Sequence, residues 1–243
     1  MSKKRSTLLS VIIPIVCAVA ILKSHAVDNS LSDEDRRFIP MYLSGVRAPA
    51  ENSTYEEELD FIISIQRSVL DIAPENNGLP FSQKREPKEL YEAGAGLCYD
   101  RSRVIEKILR YSGFETRHVF LFSRNSASDM KSLTTTGVSS HAVTEVLTKR
   151  GWLVVDSNAS WVSIDSNRHP IPIKRIQLAM EESVDIEWRM EIPSDIYEKP
   201  FAFVYGLYSR HGHFYPPYDF VPDIQYGEFI QNVGAAIPTV AFL

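Results

Sequence analysis

Between Thr54 and Ile72 the apolar positions Leu59, Ile62, Ile63, Val69 and Leu70, joined by Gln66, recur at three- and four-residue spacing, the period of one helix face. Thr54-Tyr55-Glu56-Glu57 ahead of them forms a capping box and Pro74 stops the pattern, which predicts a helix over 54–72. A second stripe, Cys98, Arg101, Ser102, Ile105, Ile108 and Leu109, ends at Gly113, a natural residue for the left-handed position just past a helix. Between the two, residues 75–84 read as loop, and Pro87 opens a short helix that delivers the chain to Gly94-Ala95-Gly96. Beyond Gly113 the pattern changes to short runs rich in β-branched and aromatic residues, predicting strands over 115–122, 140–147 and 152–156. The polar stretch 123–138 between the first two reads as a mobile loop, placed just before His141 where it can act as a lid. Shorter helices are predicted from Ser32 to just before Pro40 and near 174–183, whereas 201–208 suits a buried strand or a buried helix equally.

The strand pattern has a geometric consequence. A tight turn at Thr148-Lys149-Arg150-Gly151 closes an antiparallel hairpin that sets Asp156 opposite Val143. His141 then lies on the same face, two residues further along, at a diagonal distance of roughly 7–8 Å that imidazole and carboxylate can bridge. Cys98 falls at the first turn of its helix, where the unpaired N–H groups carry partial positive charge and favour thiolate over thiol. Singly, a helical cysteine, a strand histidine and a strand-ending aspartate have ordinary structural uses. In the order Cys98, His141, Asp156 they form a full set for acyl transfer: a nucleophile, a general acid-base, and a carboxylate that orients the imidazole.

Gly96-Leu97-Cys98 at a helix start, a strand opening on Ser140-His141 and a neighbouring strand closing on Asp156 resemble the transglutaminase-like superfamily over about 85–161. The resemblance implies an α+β, papain-like core in which the nucleophile helix packs on an antiparallel sheet carrying His141 and Asp156. It also implies a thioester acyl-enzyme on Cys98, resolved by water or by an amine. The superfamily includes protein crosslinkers, peptidases, deamidases and amidases, and exported bacterial relatives look more like peptidases or amidases. The chain departs from the vertebrate crosslinkers in having no tryptophan ahead of Cys98, its three being Trp152, Trp161 and Trp188. The Cys98 N–H is one expected oxyanion donor; the amides of Gln66, Asn76, Asn77 and Gln83 stand as candidates for a second. The alternative is a noncatalytic, envelope-associated binding or scaffold protein that keeps the fold.

With 243 residues, 44% of them hydrophobic and 23% charged, the chain has enough apolar mass for one sizeable core. A net charge of −5, without a basic stripe, argues against a nucleic-acid partner and leaves a protein or peptide substrate. Lys3-Lys4-Arg5, an apolar run over 8–22 and Ser24-His25-Ala26 read as a leader for export. The run spans about 22 Å as a helix, short of a hydrocarbon core of roughly 30 Å, which favours removal after Ala26 over retention as a tether through residues 8–22. The alternatives are thus a signal peptide and a signal anchor over 1–26. After removal Cys98 would be the one cysteine left, which excludes an intramolecular disulfide. Asn158-Ala159-Ser160 would put a glycan beside Asp156 in a eukaryotic secretory pathway, so the expected setting is a bacterial periplasm or cell envelope. No cofactor motif is present, and His211 and His213 lack further residues at ligand spacing to complete a metal set. The expected organisation is a leader over 1–26, an N-terminal extension over 27–52, a catalytic core over 53–165, and a C-terminal extension over 166–243 packed on the core.

Overall fold

A computed structural model describes residues 2–80, 83–124, 129–135, 137–188, 195–208 and 222–232. The chain opens with helix α1 (Ser2–Ser24), followed by α2 (Asp33–Tyr42), α3 (Tyr55–Ile72), α4 (Pro87–Ala93) and α5 (Cys98–Tyr111). Strand β1 (Thr116–Ser123), the short helix α6 (Asp129–Thr134), and strands β2 (Ser140–Thr148) and β3 (Gly151–Val155) come next. The last third supplies α7 (Ile173–Glu182), a 3-10 turn (Asp195–Tyr197), β4 (Phe201–Tyr205), β5 (Leu207–Tyr208), β6 (Asp223–Ile224) and α8 (Tyr226–Phe229).

Strands β3, β2, β1 and β4 form, in that order, one antiparallel sheet. Alternation along the strands sends side chains to two cores. On one face Val146, Leu153 and Val155 pack with Ile105, Ile108 and Leu109 of α5 and Leu59, Ile62 and Val69 of α3. On the other, Val119, Leu121, Val143 and Val154 pack with Trp161, Ile173, Ile176, Tyr197 and Phe201. The fold is therefore α+β, with the helix that begins at Cys98 lying on an antiparallel sheet.

The local reasons match the sequence pattern at several points. Thr54 caps α3 reciprocally with Glu57, and Ser32 caps α2 with Asp35. Three differences stand out, and one open alternative is decided. Helix α2 runs through Pro40 to Tyr42; the proline removes one hydrogen bond in the last turn, while burial of Ile39 and Tyr42 holds that turn to the core. The stretch 123–138 contains α6, and Arg124 ties it down by pairing with Asp129 and Glu181; the lid expectation falls partly on residues 125–128 and 136, outside the described residues. The run 201–205 is a strand, joined to the sheet beside β1. Finally, α5 is buried on every side from Cys98 to Leu109, not along one stripe. The His211-His213 segment lies outside the described residues.

Candidate active site

The chain is led to Cys98 by two glycines that have specific jobs. Gly94 closes α4 in the left-handed conformation at φ +62°, where a side chain would be strained. Gly96 passes so close to Leu90 that an added Cβ would lie 2.5 Å from its Cδ1. Leu97 is then the cap of α5, its N–H donating to Asp100 Oδ2 at 2.9 Å. The other carboxylate oxygen of Asp100 meets Arg85 Nε at 2.8 Å, so the acid that caps the helix, two residues from Cys98, is itself paired with a cation. Cys98 is the first residue of α5, and its N–H has no intrahelical acceptor. The thiol is packed against Tyr99 and Ala142, with Cys98 5% exposed.

The hairpin register places the other two residues. Thr148 pairs with Gly151, and the ladder runs through Val146–Leu153 to Thr144–Val155, so the next pair is Val143 with Asp156, as the turn spacing predicts. His141 Nε2 lies 2.8 Å from Asp156 Oδ2. With Nε2 committed to the carboxylate, Nδ1 is the ring nitrogen left for the Cys98 thiol, which adds to the upward push on the imidazole. His141 is 7% exposed. Burial alone would lower its pKa, but the charge and hydrogen bond of Asp156, with the thiol adding to them, outweigh burial and push it up to about 10. Burial likewise acts to raise Asp156, and the charge and hydrogen bond of His141 outweigh it, holding that carboxyl below its ordinary value. The two groups are therefore an imidazolium–carboxylate pair near neutral pH, with Nε2–H donating to Oδ2.

Asp156 has no lone pair left unused. Oδ1 accepts the N–H groups of Asn158 at 2.7 Å and Ala159 at 2.9 Å, and Oδ2 accepts both His141 and the Tyr197 hydroxyl, the latter at 2.7 Å. Tyr197 also sets its ring edge-on to His141 at 6.1 Å and against Trp161 at 5.0 Å. Its own pKa is raised well above the ordinary value by burial and by the neighbouring carboxylate, so it stays a hydroxyl donor.

Two further residues hold the loop that carries Asp156. Gln66 Nε2 from α3 donates to the carbonyls of Asp156, Ala159 and Trp161 at 2.6–3.0 Å. Arg101 from α5 donates to Asn158 Oδ1 at 2.8 Å and to the carbonyls of Ala73 and Glu75. Burial pulls Arg101 below its ordinary pKa, and the charges at Cys98, Asp100 and Asp156 push back. The expectation that Gln66 supplies an oxyanion donor is overturned, because its amide is spent on three carbonyls. Asn76, Asn77 and Gln83 are exposed, and Asn77 Nδ2 donates to Glu75 at 3.3 Å.

Sequence reasoning named Cys98, His141 and Asp156, and the fold brings them to one end of the sheet. It missed Tyr197, which carries no local signal because its partner lies 41 residues earlier in the chain. Arg101 and Gln66 were visible as polar residues on apolar helix stripes; a buried cation or amide at such a position needs an acceptor, and that was the available signal.

Residues 48–157 match the family model of the Transglutaminase-like superfamily. The superfamily is generally one of papain-like cysteine enzymes. No curated protein is significantly similar to the chain. Among solved structures the chain is similar to one in the "Crystal structure of Rad4-Rad23 bound to a 6-4 photoproduct UV lesion", at 12% identity and a TM-score of 0.33. That alignment covers 71% of this chain and 43% of the other. A superposition this loose bears on neither fold nor function.

Proposed function

We propose that the protein is an exported cysteine enzyme that cleaves or transfers amide acyl groups, with peptides or proteins as substrates. Cys98 as thiolate attacks the amide carbonyl, and the oxyanion takes a hydrogen bond from the Cys98 N–H. His141 gives its Nδ1 proton to the departing amine as the C–N bond breaks, leaving an acyl thioester on sulfur. Water then adds, His141 takes its proton, and the carboxylic acid departs as the thiolate returns; an amine in place of water gives transamidation instead. Asp156 keeps the imidazole oriented and stabilises its charge in both halves. Hydrolysis is the favoured outcome, and no step needs a cofactor. The observation that carries this reading is the 2.8 Å His141–Asp156 pair beside a thiol at a helix start.

The test is the rate of iodoacetamide labelling against pH, read on the Cys98 peptide so that Cys17 does not contribute. The expected result is labelling that persists well below pH 7 and collapses in His141→Ala. A second reading, a noncatalytic envelope scaffold, is favoured by one observation, the near-complete burial of both Cys98 and His141. Slow labelling with the same ordinary pH profile in both proteins would sink the enzyme and leave the scaffold.

A further inference from the structure

The leader and the folded domain are not separate bodies. Helix α1 ends at Ser24, and the next residue, His25, is already inside the protein at 2% exposed. Its Nδ1 meets Asp223 Oδ1 at 2.7 Å. Its carbonyl accepts the Ile224 N–H at 2.9 Å, and the N–H of Val27 donates back to the Ile224 carbonyl, also at 2.9 Å. Ala26 thus sits in a bridge with β6, and the Tyr226 hydroxyl donates to the Leu22 carbonyl at 2.9 Å. Two residues on, Asp28 and Asn29 receive Arg103 of α5 through the Asp28 carbonyl and Asn29 Oδ1.

A cut after Ala26 falls in the middle of this strand pairing. It removes the imidazole from a half-buried carboxylate and the acceptor from the Ile224 N–H, and each loss leaves a desolvated polar group without its partner. A domain made to stand free of its leader would carry none of these contacts on the leader side of the cut. The length of α1 ahead of His25 has the opposite character, exposed on every side from residue 12 to residue 20. Ile12, Ile13, Ile15, Val16, Val19 and Leu22 are 45–60% exposed, an aliphatic surface that water does not favour. Among the described residues no helix is both long and apolar enough to cross a membrane.

We infer that residues 1–26 are not removed: they stay covalently attached, lock into the domain through His25 and Ala26, and lay the aliphatic surface of α1 into the interface of a lipid bilayer without crossing it. The inference rests on the exported reading above and sharpens its location. No linker separates α1 from the fold, so the domain lies directly against the bilayer surface with Lys23 at the boundary. Its acyl donors are then peptides or amides presented at that surface, not ones free in solution.

The experiment uses the full chain with its own leader, expressed in a bacterial host and fractionated. The expected result is an uncut chain of 27.6 kDa in the membrane fraction that survives an alkaline carbonate wash. An N-terminus at Val27, or at any other residue inside the leader, overturns retention while leaving export standing. An uncut chain in the soluble fraction overturns both the bilayer and the export. A second protein, starting at Val27 behind a cleavable foreign leader, isolates the structural claim. It is expected to melt about 5 °C below the full chain or to fail to fold, with His25→Ala in the full chain moving the same way by less. Equal melting temperatures would overturn the role given to His25 and Ala26. Labelling of Cys98 in the same samples separates the two conclusions, because an unreactive thiol on a membrane-held, uncut chain sinks the enzyme reading and spares the anchor.

Discussion

Helix α5 carries buried charge in two places, and the two are built differently. At its N-terminus, His141, Tyr197 and two backbone N–H groups converge on Asp156, and one imidazole nitrogen remains for a thiol. Along its far face, Arg103, Glu106 and Lys107 are just as buried, but there every charge meets an opposite one. Lys107 Nζ lies 2.7 Å from Asp35 and 2.6 Å from Glu86. Arg103 reaches Glu86 and the ring of Tyr208, and Glu106 takes the Tyr208 hydroxyl at 2.7 Å and Arg110 at 3.2 Å. Arg110 continues to Glu228 at 2.8 Å. The second network joins residues 28–35 to Tyr208 and Glu228 across the helix, so its work is closure of the fold. Buried charge alone therefore does not mark chemistry. A pair with one reactive group left over does.

The largest way to break that contrast is Lys107→Ala, which leaves the buried Asp35 without its cation and takes one of two cations from Glu86. Removing one partner of a buried ion pair costs on the order of 3–5 kcal/mol, read as a lowered denaturant midpoint. Per folded molecule, the pH profile of Cys98 labelling is expected to stay unchanged. A shifted profile would mean that the far face tunes the thiol and that the two networks are one.

A smaller effect with a stronger pH signature comes from Asp156→Asn, which keeps the shape and removes the charge. His141 has its pKa raised from 6.5 to about 10 in the folded protein, so its stabilising contribution is whole below pH 6.5 and is lost as pH rises through about 10. Asp156 is held below 3.8, so its contribution is whole above pH 3.8 and is lost as pH falls through the depressed value. The wild-type advantage over Asp156→Asn is thus expected to be widest, about 2–3 kcal/mol, between those limits and to close by about pH 10. An imidazole titration by NMR should show His141 returning towards its ordinary value in the variant. A gap that stays constant from pH 5 to 10 would mean the pair is not ionised.

How much of this was legible follows the range of each interaction. The α3 cap, the start of α5 and the β2–β3 register rest on contacts within a turn or a hairpin, and sequence spacing carries them. The covering of α5 does not. Arg103, Glu106 and Lys107 lie off the stripe that the sequence pattern marks, and the groups that meet them, Asp28, Asp35 and Tyr208, come from distant parts of the chain. The place of β4 beside β1 was hidden for the same reason, since an apolar run of that length states burial but not its partner.

Tyr197→Phe is the smallest and most discriminating change, because it sits where the two kinds of charge differ. The hydroxyl donates to the same Oδ2 that holds His141, so it draws negative charge away from the imidazole. Its loss removes one hydrogen bond to a charged group, about 1–2 kcal/mol, while the ring, its contact with Trp161 and its edge towards His141 remain. A merely structural tyrosine would show that stability loss and nothing more. A positioning residue also moves the chemistry: with a more basic carboxylate, the His141 titration is expected to shift upward, and the alkaline limb of Cys98 labelling to follow it. A phenylalanine variant that melts lower yet keeps both pH profiles would place Tyr197 in the packing, with the closure network, and leave Asp156 and His141 to act alone.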